Sequence, residues 1–246
     1  MLKKDQLMIV IPAYNEEMNI ETVVKQWHPV VEKIGKQSKL LVVNDGSKDR
    51  TQEKLCELMK IYPQLEAIEK KNEGHGATIL YGYRRAIETG AEYIFQTDSD
   101  GQTLPEEFWQ LWENRETCGL LIGSRKNRQD GWQRIMVTRV LRLVLEVTFG
   151  CWVEDANTPY RLMRNEELKE ALEAIPDQFF LSNVLMTVYY IKTGKTIAYY
   201  PITFRPRQGG KNSINMKRIV KIGWNAFGEF YRIGKKWRKY EKQNWD

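Results

Sequence analysis

Short apolar runs alternate with amphipathic stretches through the first half of this 246-residue chain, and that alternation restricts what it can fold into. Residues 7–11 read as a buried strand, and 16–34 as a helix with Asn15 as its N-cap. Residues 40–43 read as a second strand, and 49–62 as a helix with its charges on one side. Residues 65–69 are a third, weaker strand, and 76–89 a helix that ends at Gly90. Residues 93–97 are a strand, and Pro105 opens a helix running to about Thr117, since the first helical N–H has no partner to lose. Residues 120–123 are a further strand. Strands of this length separated by helices predict an α/β protein: a mostly parallel central sheet with helices on both faces.

Open sheets of this kind bind ligands beyond the carboxyl ends of their strands. The segments expected there are Pro12-Ala-Tyr-Asn-Glu16, Asn44-Asp-Gly-Ser47, Asp98-Ser-Asp100 and Ser124-Arg125. All are short and polar, and the sheet gathers them at one edge, which predicts a single site. The second half is less regular. Residues 132–149 are apolar but broken by Arg134, Arg139, Arg142 and Glu146. Residues 181–193 read as a helix, 196–204 as a strand, 205–213 as a Gly- and Arg-rich loop, and 214–239 as a long amphipathic helix, basic and aromatic. The expected organisation is a catalytic domain over 1–212 followed by a basic aromatic C-terminal helix over 213–246, suited to a membrane surface or a partner.

Asp98 and Asp100 stand two apart in a turn after a strand, with the amide oxygen of Gln102 close behind. Hard oxygen donors suit Mg²⁺ or Mn²⁺, which keep waters and bind substrate phosphates, so a diphosphate ligand is implied. Two carboxylates flanking a sugar would sit roughly 5 Å or more apart on opposite sides of it, which fits this pair poorly. Asp45 can accept hydrogen bonds from a base or ribose, and Gly46 allows a tight turn with close backbone approach. Asn72-Glu-Gly-His-Gly-Ala77 leads into a helix N-terminus that favours phosphate, where His75 can donate to a nucleotide. Arg125, Arg139, Arg205, Arg207 and Lys211 offer donors to diphosphate or acceptor phosphate.

Charge narrows the partners. The formal net charge is +6, and from Ser213 onward nine Lys/Arg face three Asp/Glu, so the tail carries the whole excess. Trp224, Phe227, Phe230, Tyr231, Trp237, Tyr240 and Trp245 are interleaved with those charges, a composition suited to lipid headgroups. Cys56, Cys118 and Cys151 are odd in number and form no CxxC pair, so neither a zinc site nor a disulfide framework follows, and a reducing compartment is the simplest context. The apolar run at 7–12 is too short for a signal peptide, and no stretch approaches the roughly 18 apolar residues that span a bilayer. The expectation is a cytoplasmic protein, peripheral at the cytoplasmic membrane face.

In this order, the segments resemble glycosyltransferase family 2 of the GT-A (Rossmann-like) fold, and within it the dolichyl-phosphate mannose synthase-like, polyprenyl-phosphate branch. The matching pieces are Ile11-Pro-Ala-Tyr-Asn-Glu-Glu17, Val43-Asn-Asp-Gly-Ser-Lys-Asp-Arg-Thr51, Asn72-Glu-Gly-His-Gly-Ala77, Asp98-Ser-Asp-Gly-Gln102, Gly123-Ser-Arg125 and Gly209-Gly-Lys-Asn-Ser213. They span nearly the whole chain. The resemblance implies nucleotide-sugar contacts from Pro12, Tyr14, Glu16, Asp45, His75, Asp98 and Ser99, and ligation of Mg²⁺ or Mn²⁺ by Asp98, Asp100 and Gln102. It implies that Arg125 and Arg139 meet the acceptor phosphate, and that Arg207 and Lys211 lie on a loop that closes over the diphosphate. The chain departs from the family in having His75 where Lys is common, Pro159 where Gly is usual, and Gly-Gly-Lys-Asn-Ser in the loop.

The activity implied is inverting transfer of a sugar from a UDP- or GDP-sugar to a membrane-linked acceptor. A polyprenyl phosphate is already anionic and needs no base; a sugar hydroxyl on a cell-surface glycan does, and Asp155 is the candidate, its alternative role being a salt bridge to Arg161. A nucleotidyltransferase is disfavoured, because the first strand lacks a Gly-rich, Arg-containing loop. A non-enzymatic basic membrane-binding module leaves the strand-end carboxylates unexplained, and nucleic acid is not expected as a partner.

Overall fold

A computed structural model of the chain describes residues 6–125, 132–153, 155–206 and 227–237, with the backbone alone described at 132–138. The chain divides into two compact units, one of residues 1–126 with 155–210, the other of 127–154 with 211–246. The tail that the sequence sets apart from 213 thus shares its unit with the segment 127–154.

The first unit is built on seven strands: β1 (Leu7–Ala13), β2 (Lys39–Asn44), β3 (Leu65–Glu69), β4 (Tyr93–Thr97), β5 (Leu120–Arg125), β6 (Tyr160–Arg164) and β7 (Ile197–Ile202), in the order β3-β2-β1-β4-β6-β5-β7. All pairs are parallel except those of β6, which runs antiparallel between β4 and β5. Every residue of β1 is buried, as an apolar run covered on both faces requires. The helices are α1 (Ile20–Ile34), α2 (Thr51–Ile61), α3 (His75–Glu88), a 3-10 turn (Pro105–Glu107) running into α4 (Phe108–Glu113), α6 (Asn165–Ala174) and α7 (Ser182–Lys192).

Helix α1 buries Ile20, Val23, Val24, Trp27 and Val31, spaced along one helical face. Trp27 meets an aromatic cluster in which Phe95 packs against Tyr160 at 4.7 Å and Phe108 at 4.9 Å between ring centres. Helix α3 covers the other side of β1. Its Gly82 lies so near Val10 that a Cβ there would stand 2.4 Å from the valine methyl. The chain builds outward through β1, β2 and β3, then returns to place β4 on the opposite side of β1. The β1–β2 ladder runs to Ala13↔Asn44, whereas the β1–β4 ladder runs only to Val10↔Gln96. This reversal is the crevice where such sheets bind ligands.

Several boundaries differ from the sequence expectation. Helix α1 begins at Ile20, and Asn15 is not its cap. Asn15 sits in the left-handed region at φ 55°, a conformation asparagine tolerates, and ties two loops together. Its N–H donates to Ser47 Oγ at 2.9 Å, and its Oδ1 accepts from the Lys48 N–H at 2.8 Å. Helix α4 stops at Glu113, short of Thr117. Strand β6 and helix α6 were not anticipated from sequence.

The second unit, among the described residues, holds α5 (Trp132–Phe149) and a helical run over 227–237. Phe149 packs against Phe230 at 5.8 Å and Trp237 at 5.6 Å, and Gly234 lies where a Cβ would stand 2.9 Å from the Thr148 carbonyl. The rest of the helix expected at 214–239, and the loop expected at 205–213 beyond Pro206, lie outside the described residues. Among the described residues, no helix is long and apolar enough to cross a membrane.

Candidate active site

The four polar segments expected at strand ends all lie at the carboxyl edge of the sheet, after β1, β2 and β4 and at the end of β5. Side chains from both of the first two loops stitch them together. Beyond the Asn15 bonds, the Glu16 N–H donates to Thr51 Oγ1 at 2.9 Å and the Glu17 N–H to Asp49 Oδ2 at 3.0 Å. Asp49 also accepts from the Thr51 N–H at the start of α2. Tyr14 is left 43% exposed beside this seam, while Glu16 is buried, its Oε2 accepting from Asn19 Nδ2 at 2.7 Å. Pro12 is buried in β1 opposite Val43.

Asp45 is also buried, and its carboxylate serves the neighbouring loop. It accepts from Lys70 Nζ at 2.7 Å, from the Glu73 N–H at 3.0 Å and from the Gly74 N–H at 2.9 Å. Burial alone would raise this carboxyl, but those hydrogen bonds outweigh it and hold it below the ordinary range. Through these bonds Asp45 fixes the approach to α3. Gly46 follows the same logic. Its φ is +64°, and a Cβ would lie 3.0 Å from the Asn72 nitrogen, so the close approach it allows is to this loop. Gly76 likewise makes room for protein: a Cβ there would stand 2.3 Å from the Phe179 carbonyl oxygen.

Across the crevice, β4 ends in Thr97 and delivers Asp98, buried Ser99 and Asp100. Asp98 Oδ1 is buried without a hydrogen-bond partner, and among the described residues the nearest cation-forming group is His75 Nε2 at 3.8 Å. Burial, with the carboxylates of Asp100 and Glu16, pushes the Asp98 carboxyl up to about 6, against the pull of His75 and Arg125. Asp100 Oδ1 accepts the Gln102 N–H at 3.1 Å, closing the turn. Gln102 clamps the root of the next segment: its Nε2 donates to the Arg205 carbonyl at 2.7 Å, and the Arg205 N–H donates back to the Gln102 carbonyl at 2.8 Å.

Ser124 and Arg125 end β5. Arg125 makes a two-pronged pair with Asp155, Nε to Oδ2 and Nη2 to Oδ1, each at 3.0 Å, and lies over the Phe204 ring at 5.1 Å. The alternative pairing of Asp155 with Arg161 does not form. Arg161 is fully buried in β6 and donates instead to the carbonyls of Ala156, Thr158 and Asn183 and to Thr187 Oγ1. Both oxygens of Asp155 are thus engaged by a guanidinium, which disfavours it as a proton acceptor.

Arg139 lies exposed on α5, in the second unit. Arg207 and Lys211 lie outside the described residues. Lys70 and Phe204 escaped the sequence reading; the rule that picked the other residues, proximity to a strand's carboxyl end, applies to both, since Lys70 follows β3 and Phe204 follows β7.

A metal fits the Asp98 turn on the chemistry of its donors. A buried carboxylate oxygen with no donor is costly unless a cation meets it. Among the described residues there is no group of three or more His, Cys, Asp or Glu that could hold a metal ion. The set here is two carboxylates and an amide oxygen, the partial shell that Mg²⁺ or Mn²⁺ completes with water and substrate phosphates.

The sequence pattern described as glycosyl transferase family 2 matches residues 8–182. Polyprenol monophosphomannose synthase of Mycolicibacterium smegmatis is 27% identical over 221 residues, covering 86% of this chain and 82% of that protein. Undecaprenyl-phosphate mannosyltransferase of Micrococcus luteus is 27% identical over 217 residues, covering 85% and 88%. Among solved structures, glucosyl-3-phosphoglycerate synthase from Mycobacterium tuberculosis with phosphoglyceric acid superposes with a TM-score of 0.67 at 18% identity, covering 94% of this chain and 80% of that one. The same enzyme with Mn²⁺, UDP and glucosyl-3-phosphoglycerate gives 0.64 at 21% identity, covering 91% and 80%. These structural likenesses establish the GT-A-like fold.

Proposed function

Because this chain belongs to glycosyl transferase family 2, we propose that it transfers a sugar from a UDP- or GDP-sugar to a polyprenyl phosphate, inverting the anomeric carbon. The observation that carries the proposal is the buried, unpartnered Asp98 oxygen beside Asp100, at the point where the strand order reverses. A diphosphate with its divalent ion is the ligand that such a turn suits. The acceptor is supported by the relatives from Mycolicibacterium smegmatis and Micrococcus luteus, whose names specify polyprenol and undecaprenyl-phosphate chemistry.

Asp98, Asp100 and the amide oxygen of Gln102 would hold Mg²⁺ or Mn²⁺, as supported by the Mn²⁺ and UDP of the mycobacterial synthase complex. Such an ion supplies positive charge to a leaving diphosphate. The chain's own residues do the rest. Tyr14 offers an exposed ring to the base. Asp45 and Lys70 set the loop that leads into α3, whose N-terminus presents His75 and backbone N–H groups to the nucleotide. Arg125, oriented by Asp155 and Phe204, receives the acceptor phosphate. One phosphate oxygen attacks the sugar C1 from the face opposite the leaving group. The C1–O bond breaks, and the nucleoside diphosphate departs with the electron pair. The nucleophile is already an anion, so no proton acceptor is needed, in keeping with an Asp155 held by Arg125. Arg207 and Lys211 are proposed from sequence as further diphosphate contacts. The protein acts as a peripheral enzyme at the cytoplasmic membrane face.

The test is transfer from a panel of labelled UDP- and GDP-sugars to a short polyprenyl phosphate in the presence of Mn²⁺ or Mg²⁺. Glycolipid from one donor, lost in Asp100→Ala, supports the proposal. Metal-dependent donor hydrolysis without glycolipid, together with transfer to a glycan, would overturn the acceptor.

A further inference from the structure

His75 opens α3 between two fixed neighbours. On one side the Gly74 N–H donates to Asp45 Oδ2 at 2.9 Å, and the Gly74 carbonyl accepts from the Thr78 N–H at 3.0 Å and from Thr78 Oγ1 at 2.9 Å. On the other side Gly76 lies against the Phe179 and Phe180 carbonyls, with no room for a methyl. The backbone of His75 is thus set before any ligand arrives, and its side chain reaches the Asp98 turn. His75 Nε2 stands 3.8 Å from Asp98 Oδ1. That is too long for a hydrogen bond, which reaches to about 3.2 Å. Asp98 Oδ1 has no hydrogen-bond partner and is buried. A nitrogen and a carboxylate oxygen that are each about 2.1 Å from one ion stand roughly 3 Å apart when adjacent and roughly 4.2 Å apart when opposite. The observed separation falls between those limits, so a single ion can meet both atoms where they are. The His75 side chain is 57% exposed, which leaves the remaining positions of such an ion open to water and phosphate.

We propose that His75 is a ligand of the active-site ion, and that its nitrogen makes the site favour Mn²⁺ and Co²⁺ over Mg²⁺. This deepens the reading above and rests on it for an ion at Asp98. A neutral imidazole keeps its proton on Nδ1 and offers the lone pair of Nε2. Mg²⁺ takes oxygen donors, whereas imidazole suits first-row transition ions, with affinity rising from Mn²⁺ to Co²⁺. Asp98, Asp100 and the Gln102 amide offer oxygen alone, so His75 is the donor in this set that separates the ions by ligand type. Among the described residues, His, Cys, Asp and Glu form no group of three that could hold an ion. The pair of His75 and Asp98 is therefore a partial shell, as suits an ion that takes its other ligands from water and a bridging diphosphate. His75 then acts on the nucleotide through the ion that the diphosphate shares.

The test is electron spin-echo spectroscopy of Mn²⁺ added alone to the full chain, without nucleotide or acceptor, so a wrong donor or acceptor cannot decide it. The expected result is the modulation of a directly bonded ¹⁴N, altered when the histidines are labelled with ¹⁵N and absent in His75→Gln. Calorimetry should show that His75→Gln weakens Mn²⁺ and Co²⁺ at least tenfold while Mg²⁺ affinity changes less than twofold, with the melting temperature in chelator unchanged. In case that variant does not fold, the ¹⁵N effect in the wild type supplies the second readout. The chain has one other histidine, His28, which is buried with Nδ1 3.4 Å from Glu32. Bound Mn²⁺ without nitrogen modulation overturns the inference and leaves an ion at Asp98 standing. Modulation that survives in His75→Gln, or equal loss of all three ions in that variant, overturns it as well. No Mn²⁺ binding by the wild type overturns the metal reading of the Asp98 turn, and this inference with it.

Discussion

Asp98 is the residue on which the account turns, because its cost and its use are linked. Its carboxyl is pushed up to about 6 from 3.8, so the folded chain binds that proton more tightly than the unfolded chain between those values. The contribution of Asp98 to stability therefore falls as pH rises through that window, and at neutral pH its charge works against the metal-free fold. Asp98→Asn should raise the melting temperature in chelator at pH 7.5 by a few degrees, at roughly 2–4 °C per kcal/mol for a chain of this size. The same variant should lose the Mn²⁺-induced rise in melting temperature that the wild type shows. Asp155 separates two roles in kinetics. If it orients Arg125, Asp155→Asn raises the acceptor KM by about tenfold, the loss of roughly 1.4 kcal/mol of binding, and leaves the pH profile in place. A proton acceptor would instead lose about 10²-fold or more in kcat, and the acidic limb of its pH profile with it.

At the scale of elements, the loops at the sheet's carboxyl edge are held by one another. Gly76→Ala would drive a methyl into the Phe179 and Phe180 carbonyls, and overpacking of that kind costs about 1–3 kcal/mol, readable in urea unfolding. Gln102→Glu tests whether the metal turn and the Arg205 segment are coupled. A carboxylate keeps an oxygen for the cation but cannot donate to the Arg205 carbonyl. Mn²⁺ affinity should survive while the donor KM rises several-fold; equal loss of both would merge the clamp with the metal site. These links were not legible in sequence, though their anchors were. Strands β1, β2, β3, β4 and β5 could be read because they are apolar runs of ordinary strand length. Strand β6 was hidden because its second residue is Arg161, whose burial depends on four acceptors, two just before the strand and two on α7. Asn15 looked like a helix cap because a cap and a left-handed turn favour the same residue.

For the whole molecule, the carboxyl edge and the strand-end turn that carries Asp98 and Asp100 were legible because short-range patterns determine both. The use made of Asp45, Gly46 and Gly76 depends on which loops face one another, and only the fold supplies that. The division of the chain was equally out of reach, since 127–154 and the tail share a unit across about 60 intervening residues. The proposed reaction is attack of an acceptor phosphate on the donor sugar with no proton to remove. The most direct measurement is the anomeric configuration of the sugar on the lipid phosphate, by NMR, starting from a donor of known configuration. The account predicts a glycolipid of the opposite configuration, with nucleoside diphosphate released in equal amount. A retained configuration, or label found only on a sugar hydroxyl, would contradict it.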